Sequence, residues 1–144
     1  MSIDPRAEVE YRYRLALQHL GRAERMYRMG DWPSTVRFAQ LAIENFTKSL
    51  IAIFEIPTWS HDPSNQLMRL REKFPKHMVH DVEELANITR EVAPEHGRST
   101  YGEPSRGLTP DDVYNERHVL EILSKAKRAR NIVKRMLKEM KVYP

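Results

Sequence analysis

Three groups of residues carry side chains able to do chemistry at spacings that matter. Gln40, Glu44 and Lys48 recur every four residues, so on a helix an amide, a carboxylate and an ammonium line one edge within reach of one another. On a solvated edge such a ladder adds only about 0.2–0.5 kcal/mol per pair; beside a pocket it supplies charge of both signs. The second group is Ser60-His61-Asp62. Asp62 precedes Pro63 and is explained as a helix cap, with a typical contribution of about 1 kcal/mol. His61 has no such explanation, and can pack on the next turn or present its imidazole beside a helix N-terminus, where anions are favoured. The third is the stretch Glu95-His96-Gly97-Arg98-Ser99-Thr100-Tyr101-Gly102. Arg98 and Tyr101 there are groups that contact a phosphate or a base, although loops collect polar residues in any case.

Other constellations are thinner. His77 and His80, followed by Asp81, have helical metal-ligand spacing, but three surface residues lack the fourth partner of a closed site. No metal site and no cofactor are therefore expected. The absence of cysteine removes disulfides, thiolate metal sites and cysteine nucleophiles together, and fits a reducing, cytoplasmic setting. Glycine-rich phosphate loops and nucleophile elbows are missing from the sequence. The longest apolar run, Leu50 to Phe54, is far short of the roughly 20 residues of a membrane span. Met1-Ser2-Ile3-Asp4-Pro5-Arg6 shows no apolar leader.

Helices must position these groups. Asp4-Pro5 is a cap followed by a first-turn proline, and Val9, Tyr13, Ala16, Leu20, Ala23 and Tyr27 then recur in fours and threes up to Gly30. Asp31-Trp32-Pro33 restarts the chain, with Val36, Ala39, Ile43, Phe46, Leu50 and Ile53 as the second seam and Pro57 as its end. Two long helices joined by so short a turn lie antiparallel. Asp62-Pro63 opens a short helix carrying Leu67 and Leu70, and a further helix is expected over Lys76–Val92. Residues 94–108 hold three Gly and two Pro without a period, which predicts a long loop. Thr109-Pro110 opens the last helix, with Val119, Ile122, Leu123, Ala126, Ala129, Val133, Met136 and Met140 inward. The expected fold is all-α: one up-and-down antiparallel bundle, four main helices plus one short helix, over 1–144.

The net charge of +4 is unevenly placed: residues 117–144 carry nine Lys/Arg against two Glu. A basic final helix either attracts phosphates or is a solvated outer face.

Residues 36–52 read V-R-F-A-Q-L-A-I-E-N-F-T-K-S-L-I-A, and Ser60-His61-Asp62 follows after Pro57. This string resembles the signature of the HEPN family, in which an A-Q-x-A-x-E-x-x-x-K-x-L-x-A helix precedes a short loop with His-Asp. The first helix ending in Gly-Asp-Trp and the basic last helix agree with it, so the resemblance spans nearly the whole chain. It implies a helical bundle that forms homodimers, a role with nucleotides or RNA, and pairing with a minimal nucleotidyltransferase in a toxin–antitoxin-like system. Gln40, Glu44, Lys48, His61 and Asp62 are the positions matching that signature. Active ribonucleases of the family carry an Arg and then a His with four to six residues between them, which implies Arg90 and His96 as a metal-independent catalytic pair. His would serve as acid or base and Arg would stabilise phosphoryl charge. Arg12–His19, Arg14–His19 and Arg71–His77 also fit that spacing, Glu91 replaces the usual small polar residue, and Pro94 interrupts the stretch. Three readings follow: a nucleotide-binding or partner domain, a ribonuclease, or a dimerisation module. Leu15, Leu17 and Ile51, which fall off the seams, are the apolar residues expected at a dimer face.

Overall fold

A computed structural model describes residues 4–143; the three residues that begin the stretch without an apolar leader lie outside the described residues. Its helices are α1 (Pro5–Arg28), α2 (Trp32–Ile51), α3 (Ser64–Arg69), α4 (Val79–Val92), α5 (Glu95–Tyr101), α6 (Pro110–Val113) and α7 (Glu116–Glu139). Among the described residues there is no strand, only an isolated antiparallel bridge between Glu103 and Leu108. None of these helices is long and apolar enough to cross a membrane.

The long helices start where their capping residues lie. Asp4 Oδ1 accepts from the Arg6 N–H at 3.0 Å, and Asp31 Oδ1 from the Ser34 N–H at 3.1 Å. Each removes one orphan donor from a first turn. Gly30 turns the chain between α1 and α2 with φ +75°, a conformation that glycine adopts without steric cost. The seam of α1 (Val9, Tyr13, Ala16, Leu20, Ala23) is buried, and so are Val119, Ile122, Leu123, Ala126, Ala129, Val133 and Met136 of α7.

Helix α2 is the centre of the bundle, flanked by α1, α7, α5, α4 and α3. Every residue from Ala42 to Ile51 is buried, including the polar ones, so each polar group needs a protein partner. Thr47 and Thr89 hydroxyls meet at 2.6 Å, and Thr89 donates onward to the Leu85 carbonyl at 2.8 Å; Thr47 is therefore the donor between them. Ser49 donates to the Phe46 carbonyl, while Asn45 donates to Leu41 and accepts from Arg12.

Several boundaries differ from the sequence-based expectation. Helix α2 ends at Ile51, six residues before Pro57, because residues 52–55 tighten into turns that set Phe54 edge-on against Phe74, centroids 5.0 Å apart. The stretch 94–108 is not a loop throughout: Glu95–Tyr101 is helical. Seven residues are too few to hold a helix alone, and α5 is held by packing on α2. It stops at Gly102, φ +69°, where an added Cβ would lie 2.2 Å from the Leu108 carbonyl oxygen. The last helix is broken in two. Tyr114 is extended and buried, with its hydroxyl bonded to Glu95, and Asn115 supplies a fresh cap by accepting from the His118 N–H at 2.8 Å. Ile51 is fully buried, so it cannot line a dimer face; Leu15 is half-buried and Leu17 is exposed.

The basic face of α7 is partly neutralised. Lys125, Arg128 and Arg135 pair with Glu91, Glu84 and Asp81 of α4, which ties the two helices together and removes three of the nine cations from the free surface.

Candidate functional site

Gln40, Glu44 and Lys48 are not a surface ladder: they retain 2%, 5% and 4% of their exposure. Buried ions require close partners, and Glu44 has them on both carboxylate oxygens. Its Oε2 accepts from Lys48 Nζ at 3.0 Å, and its Oε1 accepts from Gln40 Nε2 at 3.1 Å and His61 Nδ1 at 3.0 Å. Burial pushes the Glu44 carboxyl up. Bonds from Gln40 and Lys48, the Lys48 charge and the His61 bond outweigh it, holding the group below the usual carboxylate range.

The network reaches a second imidazole. Gln40 Oε1 lies 2.9 Å from His96 Nδ1, at the second position of α5, and the His96 ring stacks on His61 with centroids 3.6 Å apart and planes 20° from parallel. Both Nδ1 atoms face oxygens that can only accept, a carboxylate and an amide carbonyl. Each ring therefore carries its neutral-state proton on Nδ1 and keeps an unshared pair on Nε2. Neither Nε2 has a hydrogen-bond partner among the described residues. Burial holds His96 below the usual histidine range, reinforced by His61 and by Arg37, against an opposing pull from Glu44.

Five of the residues marked in the sequence thus meet: Gln40, Glu44 and Lys48 from α2, His61 from the loop before α3, and His96 from α5. Asp62 stays structural, its Oδ1 accepting from the Ser64 N–H at 3.0 Å as α3 begins. Arg98 is engaged by Glu95 and Glu103 and lies 5.2 Å over the Tyr114 ring, while Tyr101 is 71% exposed. Arg90 is exposed on α4, across the Ala93–Pro94 turn from His96, with no hydrogen bond or ion pair to it among the described residues.

Other residues at the site escaped the sequence reading. Arg37 donates to the Thr100 hydroxyl at 3.3 Å, bridging α2 and α5. His19 of α1 stacks on Phe38 and is near enough for the Glu44 charge to raise its proton affinity, although burial and then Arg22 lower it further. Trp59, two residues before His61, is 96% exposed, and neighbouring Ile56 is 71% exposed. The sequence did hold a signal for Trp59, a lone tryptophan between Pro57 and Ser60-His61. Arg37 had none, because it matters only through packing, and His19 was marked only by its spacing from Arg12 and Arg14.

Chemically, the site is a neutralised buried ion pair supporting two outward imidazole edges. Each edge can take a proton, a phosphate when protonated, or a metal ion. A stacking distance of 3.6 Å is too short for the two rings to flank one phosphate as separate acid and base within one chain.

No curated protein and no solved structure matches the chain significantly. The family model described as HEPN domain matches residues 9–137, a span that contains the α2 string, the His-Asp loop, α5 and nearly all of α7, and the chain accordingly belongs to the HEPN domain family.

Proposed function

We propose that this HEPN domain binds a nucleotide, free or within RNA, over the His61–His96 edge, and acts as the helical partner of a minimal nucleotidyltransferase in a toxin–antitoxin-like pair. The convergence of Gln40, Glu44, Lys48, His61 and His96 on one open edge carries the reading. Arg37 adds a guanidinium beside His96, suited to phosphate oxygens. Trp59 offers an indole face, and stacking a base on an aromatic ring contributes about 1–3 kcal/mol. Calorimetry with ATP, GTP, short oligonucleotides and a minimal nucleotidyltransferase tests the proposal. Binding to at least one, weakened in His61→Ala, is the expected result; no heat with any of them ends it. A homodimer belongs to the same reading, with Leu15 and Leu17 at its face, and a monomeric mass by light scattering would remove that part.

One observation favours a second reading, a metal-independent ribonuclease. Burial lowers the proton affinity of His96, and its Nε2 has no partner among the described residues, an arrangement that suits a general base. Arg90 would have to reach the same phosphate from α4 or from a second chain. RNA cleavage that survives EDTA and vanishes in both His96→Ala and Arg90→Ala would establish it.

A further inference from the structure

A carboxylate oxygen of Glu44 and one nitrogen from each imidazole, His61 and His96, lie within 4.8 Å of one another. Two features of their surroundings go beyond proximity. First, the tautomers are preset: both Nδ1 atoms are bonded to oxygens, so in the neutral form of each ring the Nε2 lone pair is available. Second, those oxygens stand where metal-bound histidines find them. A ligating imidazole almost always passes its other N–H to a carboxylate or carbonyl, which orients the ring and raises its basicity. Here Glu44 fills that place for His61 and Gln40 for His96, and Lys48 holds the far carboxylate oxygen.

We propose that His61 and His96 form a binding site for one divalent transition-metal ion of the zinc, nickel or copper class. Each imidazole contributes Nε2, Glu44 supplies the nearby negative charge, and the remaining positions face solvent. Two neutral nitrogen donors select these borderline ions and not magnesium or calcium, which prefer all-oxygen cages. Nitrogen lone pairs lie in the ring planes, so the rings must open from their 20° stack to share an ion at about 2.0–2.1 Å. His61 can supply that rotation, because its side chain is 55% exposed and sits in a loop. The open positions would accept a phosphate oxygen, but the ion site stands without that reading, since it is measurable with no nucleotide present.

The test is equilibrium dialysis and calorimetry of the full chain with zinc chloride, with the visible spectrum of the cobalt(II) form as a second readout and magnesium chloride as a control. One zinc per chain is expected, with affinity falling at least 10-fold in His61→Ala and in His96→Gln. The His77→Ala/His80→Ala variant should bind as the unaltered chain does. Glu44→Gln should weaken binding about 10-fold, the lower end for an outer partner of a metal ligand, and the cobalt spectrum should lose intensity with His61→Ala. Thermal melting of each variant checks that it is folded; His61→Ala, altering a half-exposed loop residue, serves where His96→Gln does not fold. Unchanged zinc affinity in folded His61→Ala, binding lost only with His77 and His80, or no zinc bound at all would overturn the proposal.

Discussion

Replacing Lys48 with methionine removes the ammonium facing Glu44 Oε2 at 3.0 Å while keeping most of the side chain's volume. The pair is dry, with 5% and 6% of the two side chains exposed, so little water can take the place of the lost cation. Breaking one side of a buried ion pair typically costs 3–5 kcal/mol, about 3 being expected here because Gln40 and His61 still donate to Oε1. With a urea slope of about 2 kcal/mol per molar, the unfolding midpoint should fall by about 1.5 M. Removing both charges should undo most of that loss: Lys48→Met with Glu44→Gln is expected within about 1 kcal/mol of the unaltered chain, since neutral replacements of buried pairs are often tolerated. Urea unfolding followed by circular dichroism measures both. A single variant costing less than about 1 kcal/mol, or a double variant less stable than the single, would mean that Glu44 is not a buried, paired carboxylate in solution.

Leu50→Ala, at a fully buried position of α2, should lower stability by about 2–5 kcal/mol in the same assay. Gly102→Ala must place a methyl against the Leu108 carbonyl at positive φ; a loss of at least about 1–3 kcal/mol is expected, with faster amide exchange in α5. The Glu84–Arg128 clamp between α4 and α7 sets a pH dependence. Arg128 bonds and charge, assisted by His80 and Arg135 and opposed by burial, hold Glu84 below its ordinary range, with Asp81 also facing Arg128. A depressed folded value means that the clamp stabilises at pH above the unfolded carboxyl's value, about 4.3, and its contribution is lost as pH falls through the lower folded one. Arg128→Ala should therefore cost about 0.2–1 kcal/mol at neutral pH and next to nothing once Glu84 is protonated, as melting temperatures at several pH values would show.

The sequence by itself determined the all-α class, the pairing of α1 with α2, the caps Asp4 and Asp31, and most core residues of α1, α2 and α7. All follow from short-range rules: a 3.6-residue period marks a buried face, and capping residues satisfy local donors. It also marked Gln40, Glu44, Lys48, His61 and His96, through the α2 string and the residues around it. Tertiary structure alone decided that these five meet, that the Gln40–Glu44–Lys48 ladder is buried, and that α5 is a helix. Periodicity reports which face of a helix is apolar, and says nothing of polar residues enclosed when neighbours close over the remaining faces. Gln40, Glu44 and Lys48 look solvent-facing because they are charged or polar; yet all three are buried, with His61 from its loop set against Glu44 and His96 from the short helix set against Gln40. Those contacts span 17 residues from Glu44 to His61 and 56 from Gln40 to His96, separations at which no local pattern in the chain specifies which side chains will touch.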